Sequence, residues 1–342
     1  MSTASLTYKH LKAFASRRRL FAAVVLLIAG ALALSGCSSK SGASSDGQES
    51  FTLRVGFISN TPTPSGPEGW ANQNGSLLTG LKAVGVSQIK WLPFKNGPDL
   101  SAALSGGSLD LAMLGDTPAL TAKANGIDTR LVNQGAVGSD TWLFASKNGP
   151  KTIADLKGKT IATQVGSYMY RYLIALLQQQ GLSDSVKVTH VYTTAALAAL
   201  QSGGIAAYAA PAGQLTGALS KAGFPILDKA SVDHQDLLGT NVTIITGKAL
   251  AAHPELPAAW NKVRTASIAD LTAHPDTYYP FAATATGTTV DVIKVSNPIS
   301  SFKPEPFTPA GITLLTGTNE FLAKNKLSKG VVDIDAWKVP SS

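Results

Sequence analysis

The chain has 342 residues, 44% of them hydrophobic and 15% charged, with one cysteine and a formal net charge of +8. Five of the Lys and Arg lie in residues 1–36, which hold no acid, so the remainder carries only +3 (8 − 5). That balance, with no Lys/Arg stripe or aromatic-basic motif downstream, argues against a nucleic-acid partner, and a lone cysteine excludes an internal disulfide.

Lys9, Lys12 and the run Arg17-Arg18-Arg19 precede an uncharged apolar stretch from Leu20 to Leu34, the order of a basic n-region and an apolar h-region. Fifteen residues at ~1.5 Å each reach roughly 22 Å, short of the ~30 Å hydrocarbon core, so a signal peptide over 1–36 fits better than an anchor helix. Leu34-Ser35-Gly36-Cys37 follows at once and resembles the bacterial lipobox, whose cysteine is acylated. Lipidation at Cys37 gives the only thiol a purpose, and acyl chains at ~0.8 kcal/mol per buried CH₂ would hold the body to a membrane. Residues 37–50 are Ser/Gly-rich, as a flexible tether is, and a folded body is expected from Phe51.

About 290 residues then remain, enough for two modest domains. Short apolar runs alternate with helical patterns, the signature of βαβ units. The pattern predicts a strand at 51–58, a helix over 68–84, and strands at 89–94 and 109–114 around a short helix at 99–104. A helix at 119–125 and strands at 129–134 and 142–146 lead into a second set. That set has strands at 160–164, 186–192, 205–208 and 225–227, with helices at 168–180, 195–201 and 214–222. Gly181 closes the first of those helices as a C-cap. A strand at 241–246 returns to the first set, and helices at 257–273 and 309–325 complete the chain.

Two turns are predicted to present main-chain donors. Gly115-Asp116-Thr117-Pro118 follows a strand and opens a helix, with Thr117 suited to N-cap and Pro118 to the first helical position. Gly166-Ser167 does the same for the helix beginning at Tyr168. Unpaired N–H groups and the positive end of each helix dipole can hold a sulfonate, sulfate-like or carboxylate group. Asp116 complicates that picture: it either caps its own helix or meets a ligand amine. Arg171 lies one helical turn beyond Ser167, so it either forks onto an oxyanion or faces solvent, and Tyr168 either walls a pocket or packs. A catalyst is disfavoured, since Gly158-Lys159-Thr160 lacks the earlier glycine of a phosphate loop, which would fall at Ile153. No Gly-x-Ser-x-Gly or His-Glu-x-x-His occurs, and five scattered histidines with one cysteine give no metal site. No cofactor is expected.

Several segments in order resemble the nitrate, sulfonate and taurine type of ABC-transporter solute-binding protein: Trp91-x-x-Phe94-x-x-Gly97-Pro98, Ala103-Leu104-Ser105-Gly106-Gly107-Ser108-Leu109-Asp110, Gly115-Asp116-Thr117-Pro118, and Ala154-Asp155-Leu156-Lys157-Gly158-Lys159-Thr160-Ile161 with Gly166-Ser167 beyond. The resemblance runs from about Leu53 to Thr286. It implies an α/β, two-lobed periplasmic-binding-protein type II fold, each lobe a mixed, mostly parallel sheet flanked by helices, behind a lipoprotein signal peptide. The lobes would be 51–141 with 239–342, and 142–238.

The resemblance further implies a monomeric binding protein on the outer face of the cytoplasmic membrane that hands a small organic anion to ABC permease and ATPase subunits. A lipoprotein that binds a solute or partner for signalling or adhesion is the alternative. The family's loop after the first strand reaches into the cleft, which adds Asn60 and Thr61 to the candidate ligand contacts Gly115, Asp116, Thr117, Gly166, Ser167, Tyr168 and Arg171. The chain departs from the family at Gly203-Gly204-Ile205-Ala206-Ala207-Tyr208-Ala209-Ala210-Pro211, where Gly-x-Val-Asp-Ala-Trp followed by Trp-Asp-Pro is usual. Tyr208 stands at the first Trp, and the smaller residues there imply a roomier pocket.

Overall fold

The computed structural model describes residues 50–340; the expected signal peptide, Cys37 and most of the tether lie outside them. From the start of the described chain, β1 (Phe51–Ile58), α1 (Gly66–Gln73), α2 (Ser76–Leu81), β2 (Val86–Phe94), α3 (Gly97–Ser105), β3 (Leu111–Gly115), α4 (Asp116–Ala124) and β4 (Thr129–Ser139) follow one another. The single helix expected over 68–84 is thus two, with a 3₁₀ turn after them. The break falls at Gly75, which sits at φ 79° as the N-cap of α2, a left-handed conformation that glycine adopts without a Cβ clash.

β5 (Thr141–Ala145), β6 (Thr160–Thr163), α5 (Tyr168–Gln179), β7 (Lys187–His190), α6 (Thr193–Gln201), β8 (Ala207–Pro211), α7 (Gln214–Lys221), β9 (Ile226–Lys229) and α8 (Ala230–Asp233) form the next group. β10 (Gly239–Thr246), α9 (Gly247–Ala252), α10 (Leu256–Ala273), α11 (Pro275–Thr286), α12 (Val290–Ser296), α13 (Pro309–Lys324) and α14 (Ile334–Trp337) complete the chain. Two five-stranded sheets result, ordered β2-β1-β3-β10-β4 and β7-β6-β8-β5-β9. The chain passes from the first sheet to the second between Ser139 and Thr141, and returns before Gly239.

Each sheet keeps a parallel core, β2-β1-β3 in one and β7-β6-β8 in the other. Next to it lies one antiparallel strand, β10 or β5, that also pairs antiparallel on its far side. A crossing strand that arrives from the other sheet need not follow the right-handed βαβ path that makes neighbours parallel.

Alternation along the strands sets the packing. In β3, Leu111 faces the cluster of Leu53, Val55, Leu81 and Trp260, while Ala112 and Leu114 face Leu100, Leu120 and Leu315 on the other side. Helices α1, α2 and α10 therefore cover one face of the first sheet, and α3, α4 and α13 the other. In the second sheet Leu143, Ala207 and Ala209 turn toward α5, whereas Phe144, Tyr208 and Ala210 turn toward α6 and α7. Burial on both faces explains why these strands read as apolar runs with little polar alternation.

Leu53 is fully buried in β1. Leu53→Ala is expected to cost about 2–5 kcal/mol, read as a lower urea midpoint with an unchanged slope.

Candidate functional site

The two predicted turns do meet. A Cβ placed on Gly239 would fall 2.7 Å from Tyr168 Cγ, and one on Gly115 would fall 3.6 Å from Tyr168 Cδ1. The Tyr168 ring therefore fills the space between the end of β3 and the start of β10. Gln164 Nε2 donates to the Lys95 carbonyl at 3.2 Å, and a Cβ on Gly166 would lie 3.0 Å from Pro98 Cγ. At this point the sheets are in direct contact, with no gap for a guest between Gly115 and Tyr168.

The groups at this seam are already engaged. Helix α4 begins at Asp116, one residue before the predicted cap, with Gly115 as N-cap. Asp116 is fully buried; its Oδ1 accepts from the Thr117 hydroxyl at 3.0 Å and its Oδ2 from the Thr240 amide at 2.9 Å and the Thr318 hydroxyl at 3.3 Å. The carboxylate therefore ties the turn to β10 and α13 and has no face left for a ligand amine. Ser167 is the N-cap of α5, accepting from the Tyr170 amide at 3.3 Å and donating to the Gln164 carbonyl at 2.6 Å. Each helix start thus has one amide taken by a side chain, that of Thr117 by Asp116 and that of Tyr170 by Ser167.

Arg171 is neither solvent-facing nor open to an oxyanion. It is 1% exposed, and its Nη2 donates to the carbonyls of Leu237 and Leu238, both at 2.8 Å. Burial lowers its pKa, opposed by the negative charges of Asp116 and Asp236. Tyr208 lies in the core of the second sheet, its hydroxyl donating to the Val191 carbonyl at 3.0 Å, and burial pushes that hydroxyl above its ordinary value. Burial does the same for Tyr168, helped by Asp116 and Asp140.

Open space lies to either side of the contact between Gly115 and Tyr168: one cavity is bordered by Thr117 and Gly166 of the two turns, and two others lie beside the loop after β1. An inner cavity of about 140 Å³ is lined by Ile58, Ser65, Gly66, Asn241, Thr243 and Asn297, among others. Thr243 Oγ1 is buried there without a protein partner. An outer cavity of about 340 Å³ is lined by Asn60 from the first-sheet half and by Thr193, Thr194, Pro211, Ala212 and Gly213 from the second-sheet half. Asn60, expected as a contact, is thus brought to the start of α6. Thr61 is not: its hydroxyl bonds the Ala285 carbonyl and pins the loop to α11.

The two helix starts at these cavities differ. At α1 no side chain caps the helix, but the Gly66 amide meets the Tyr278 hydroxyl, and Glu68 stands in the first turn. Glu68 is buried against Arg264, Oε1 to Nε 3.3 Å; burial raises its pKa and Arg264 opposes that rise. At α6 no side chain caps the helix either and its first turn holds no acid; the Ala195 amide bonds the Tyr192 carbonyl at 2.9 Å, and Thr193 and Thr194 at the positive end of the helix line the outer cavity. Thr193, Asn241 and Asn297 were missed from sequence because no motif marks them. The one available signal was a pair of threonines opening an apolar helix.

Two α/β sheets joined by crossing strands, with cavities at the sheet boundary, define a protein of the periplasmic-binding-protein fold. The chain belongs to the NMT1/THI5-like family, whose pattern matches residues 89–278. It is 26% identical over 256 residues to a putative aliphatic sulfonates-binding protein of Bacillus subtilis (strain 168), covering 74% of this chain and 75% of that one. It is 36% identical over 126 residues to a putative aliphatic sulfonates-binding protein of Escherichia coli (strain K12), a match that spans only 36% of this chain and 40% of that protein's length.

Among solved structures, the alkanesulfonate-binding protein of Xanthomonas axonopodis pv. citri bound to MOPS superposes with a TM-score of 0.70 at 24% identity, over 85% of this chain and 98% of that one. A desulfurization enzyme shares the fold at 16% identity, with a TM-score of 0.64 over 85% of this chain and 96% of that one. A shared fold does not transfer chemistry.

Replacing Asp116 by alanine leaves the buried Thr240 amide without its partner, at roughly 1–3 kcal/mol for that donor alone. Asp116→Ala is expected to lower the denaturation midpoint by more than Asp116→Asn, which keeps an acceptor oxygen; equal losses would remove the hydrogen-bonding role.

Proposed function

We propose that the protein is the extracytoplasmic solute-binding component of an ABC importer, taking a small organic anion of the sulfonate class in the cavities beside the loop after β1. One observation carries the reading: a single cavity is lined both by Asn60 from the first-sheet half and by Thr193, Thr194 and Gly213 from the second. A guest there touches both halves, and differential contact with two states is what a ligand needs to bias closure. The names of the relatives, aliphatic sulfonates-binding proteins, point to the same ligand class.

The chemistry of the lining supports an anion held by neutral donors. Of the residues around the inner and outer cavities only Glu68 carries a charge, and Arg264 offsets it. A sulfonate has three acceptor oxygens and little basicity, so hydroxyls, amides and the positive end of α6 can hold it without a full countercharge. Closure excludes water and strengthens each of those bonds. In this reading the two lobes are 51–141 with 239–342, and 142–238. Cys37 carries the lipid that holds the monomer at the outer face of the cytoplasmic membrane, and permease and ATPase subunits accept the cargo.

A panel of alkanesulfonates, sulfate esters, carboxylates and heterocycles tests the ligand class by thermal shift, because a ligand that binds only the folded form raises its stability by mass action. A sulfonate is expected to raise the melting temperature most and to shrink the particle in solution scattering. Asn60→Ala and Thr193→Val are each expected to weaken that binding about tenfold, roughly 1.4 kcal/mol. Unchanged dimensions at saturation would sink the closure mechanism, and uptake that survives deletion of the protein would sink the transport role.

A further inference from the structure

A third cavity, of about 390 Å³, lies on the side of the first sheet covered by α3, α4 and α13, at the boundary between the halves. The first-sheet half contributes α3, α4 and α13; the second contributes Val165, Gly166 and Tyr170. Thr117 and Gly166, which the sequence paired as anion contacts, both border it. No lining residue is charged, and one amide in each adjoining turn is taken by a side chain, that of Thr117 by Asp116 and that of Tyr170 by Ser167. Behind the wall, the Asp116 carboxylate next to Thr117 and the Arg171 guanidinium next to Tyr170 act on each other, so no net charge is directed at the space.

Most of the wall is apolar, built by Pro98, Pro118, Ile127, Leu322 and Leu327. Within it stands a small polar set. Thr121, Asn125 and Tyr170 line the same space. The volume lies within the range of small-molecule pockets, about 300–1,000 Å³.

We infer that this side cavity is a second ligand site, specific for an uncharged ring compound that carries one hydrogen-bonding group, and separate from the cavities that take the anion. The ring packs on the prolines and leucines, and its polar atom meets Thr121, Asn125 or Tyr170. Because the walls come from both halves, an occupant contacts both at once.

Two probes of one ring system separate charge from shape: neutral 2-naphthol and anionic 2-naphthalenesulfonate, titrated calorimetrically into the purified protein. 2-Naphthol is expected to fill a single site. Ala102→Trp and Ser105→Trp, both at exposed lining positions, place an indole in that space and are expected to weaken 2-naphthol at least about tenfold, roughly 1.4 kcal/mol. Any binding of 2-naphthalenesulfonate should be unaffected by either tryptophan. Melting curves establish that each variant folds, and one folded variant suffices. The inference is overturned if 2-naphthol shows no saturable binding, if its binding ignores the tryptophan, or if the sulfonate is lost in parallel, which would mean the cavity does not select against charge.

Discussion

The carboxylate of Asp116 is the joint on which this structure depends. It is fully buried, and it gathers the amide of its own turn, the amide of Thr240 in β10 and the hydroxyl of Thr318 in α13. A buried charge is tolerable only when such donors surround it, so the end of β3, the returning strand and the penultimate helix must come together for any of them to be stable. Two further features rely on that meeting. Tyr168 packs on Gly115 and Gly239, where no side chain would fit against its ring at Gly239, and Arg171 holds the carbonyls of Leu237 and Leu238 just before β10 begins.

This seam divides the boundary between the sheets into two sides with different chemistry. On one side the loop after β1, the asparagines Asn241 and Asn297, and the start of α6 give a polar space. On the other side, α3, α4 and α13 give a space with no charge and a largely apolar wall. The difference follows from what covers each sheet face. The second side is an extension of the leucine-rich cluster around Leu100, Leu120 and Leu315, whereas the first is flanked by a buried ion pair, Glu68 with Arg264. Of the segment from Gly203 to Pro211, where smaller residues led one to expect a roomier pocket, Pro211 lines the outer cavity. Tyr208 itself is in the core, and Ala212 and Gly213 at the start of α7 line the same cavity as Pro211.

Element order, the first strand, the cap of α5 at Ser167 and the family were all legible along the chain, since each depends on residues within one or two turns of each other. The roles of individual candidate residues were not. Asp116 finds Thr240 124 positions away and Thr318 202 positions away, and Arg171 finds Leu237 66 positions away. An aspartate beside a helix start and an arginine on the first turn of a helix look the same from sequence whether they face a guest or a distant strand.

Sequence by itself determined the alternation of strand and helix, the strand faces that must be buried, and the kinship with the NMT1/THI5-like family, because periodicity and turn chemistry act locally. Only the tertiary structure decided which helix starts border a cavity and which residues from the other half share it. The starts of α4 and α5 are capped by their own residues, Asp116 and Ser167, but the Tyr278 hydroxyl that meets the start of α1 and the second-half residues that share a cavity with Asn60 arrive from elsewhere in the chain, by packing between elements distant in sequence.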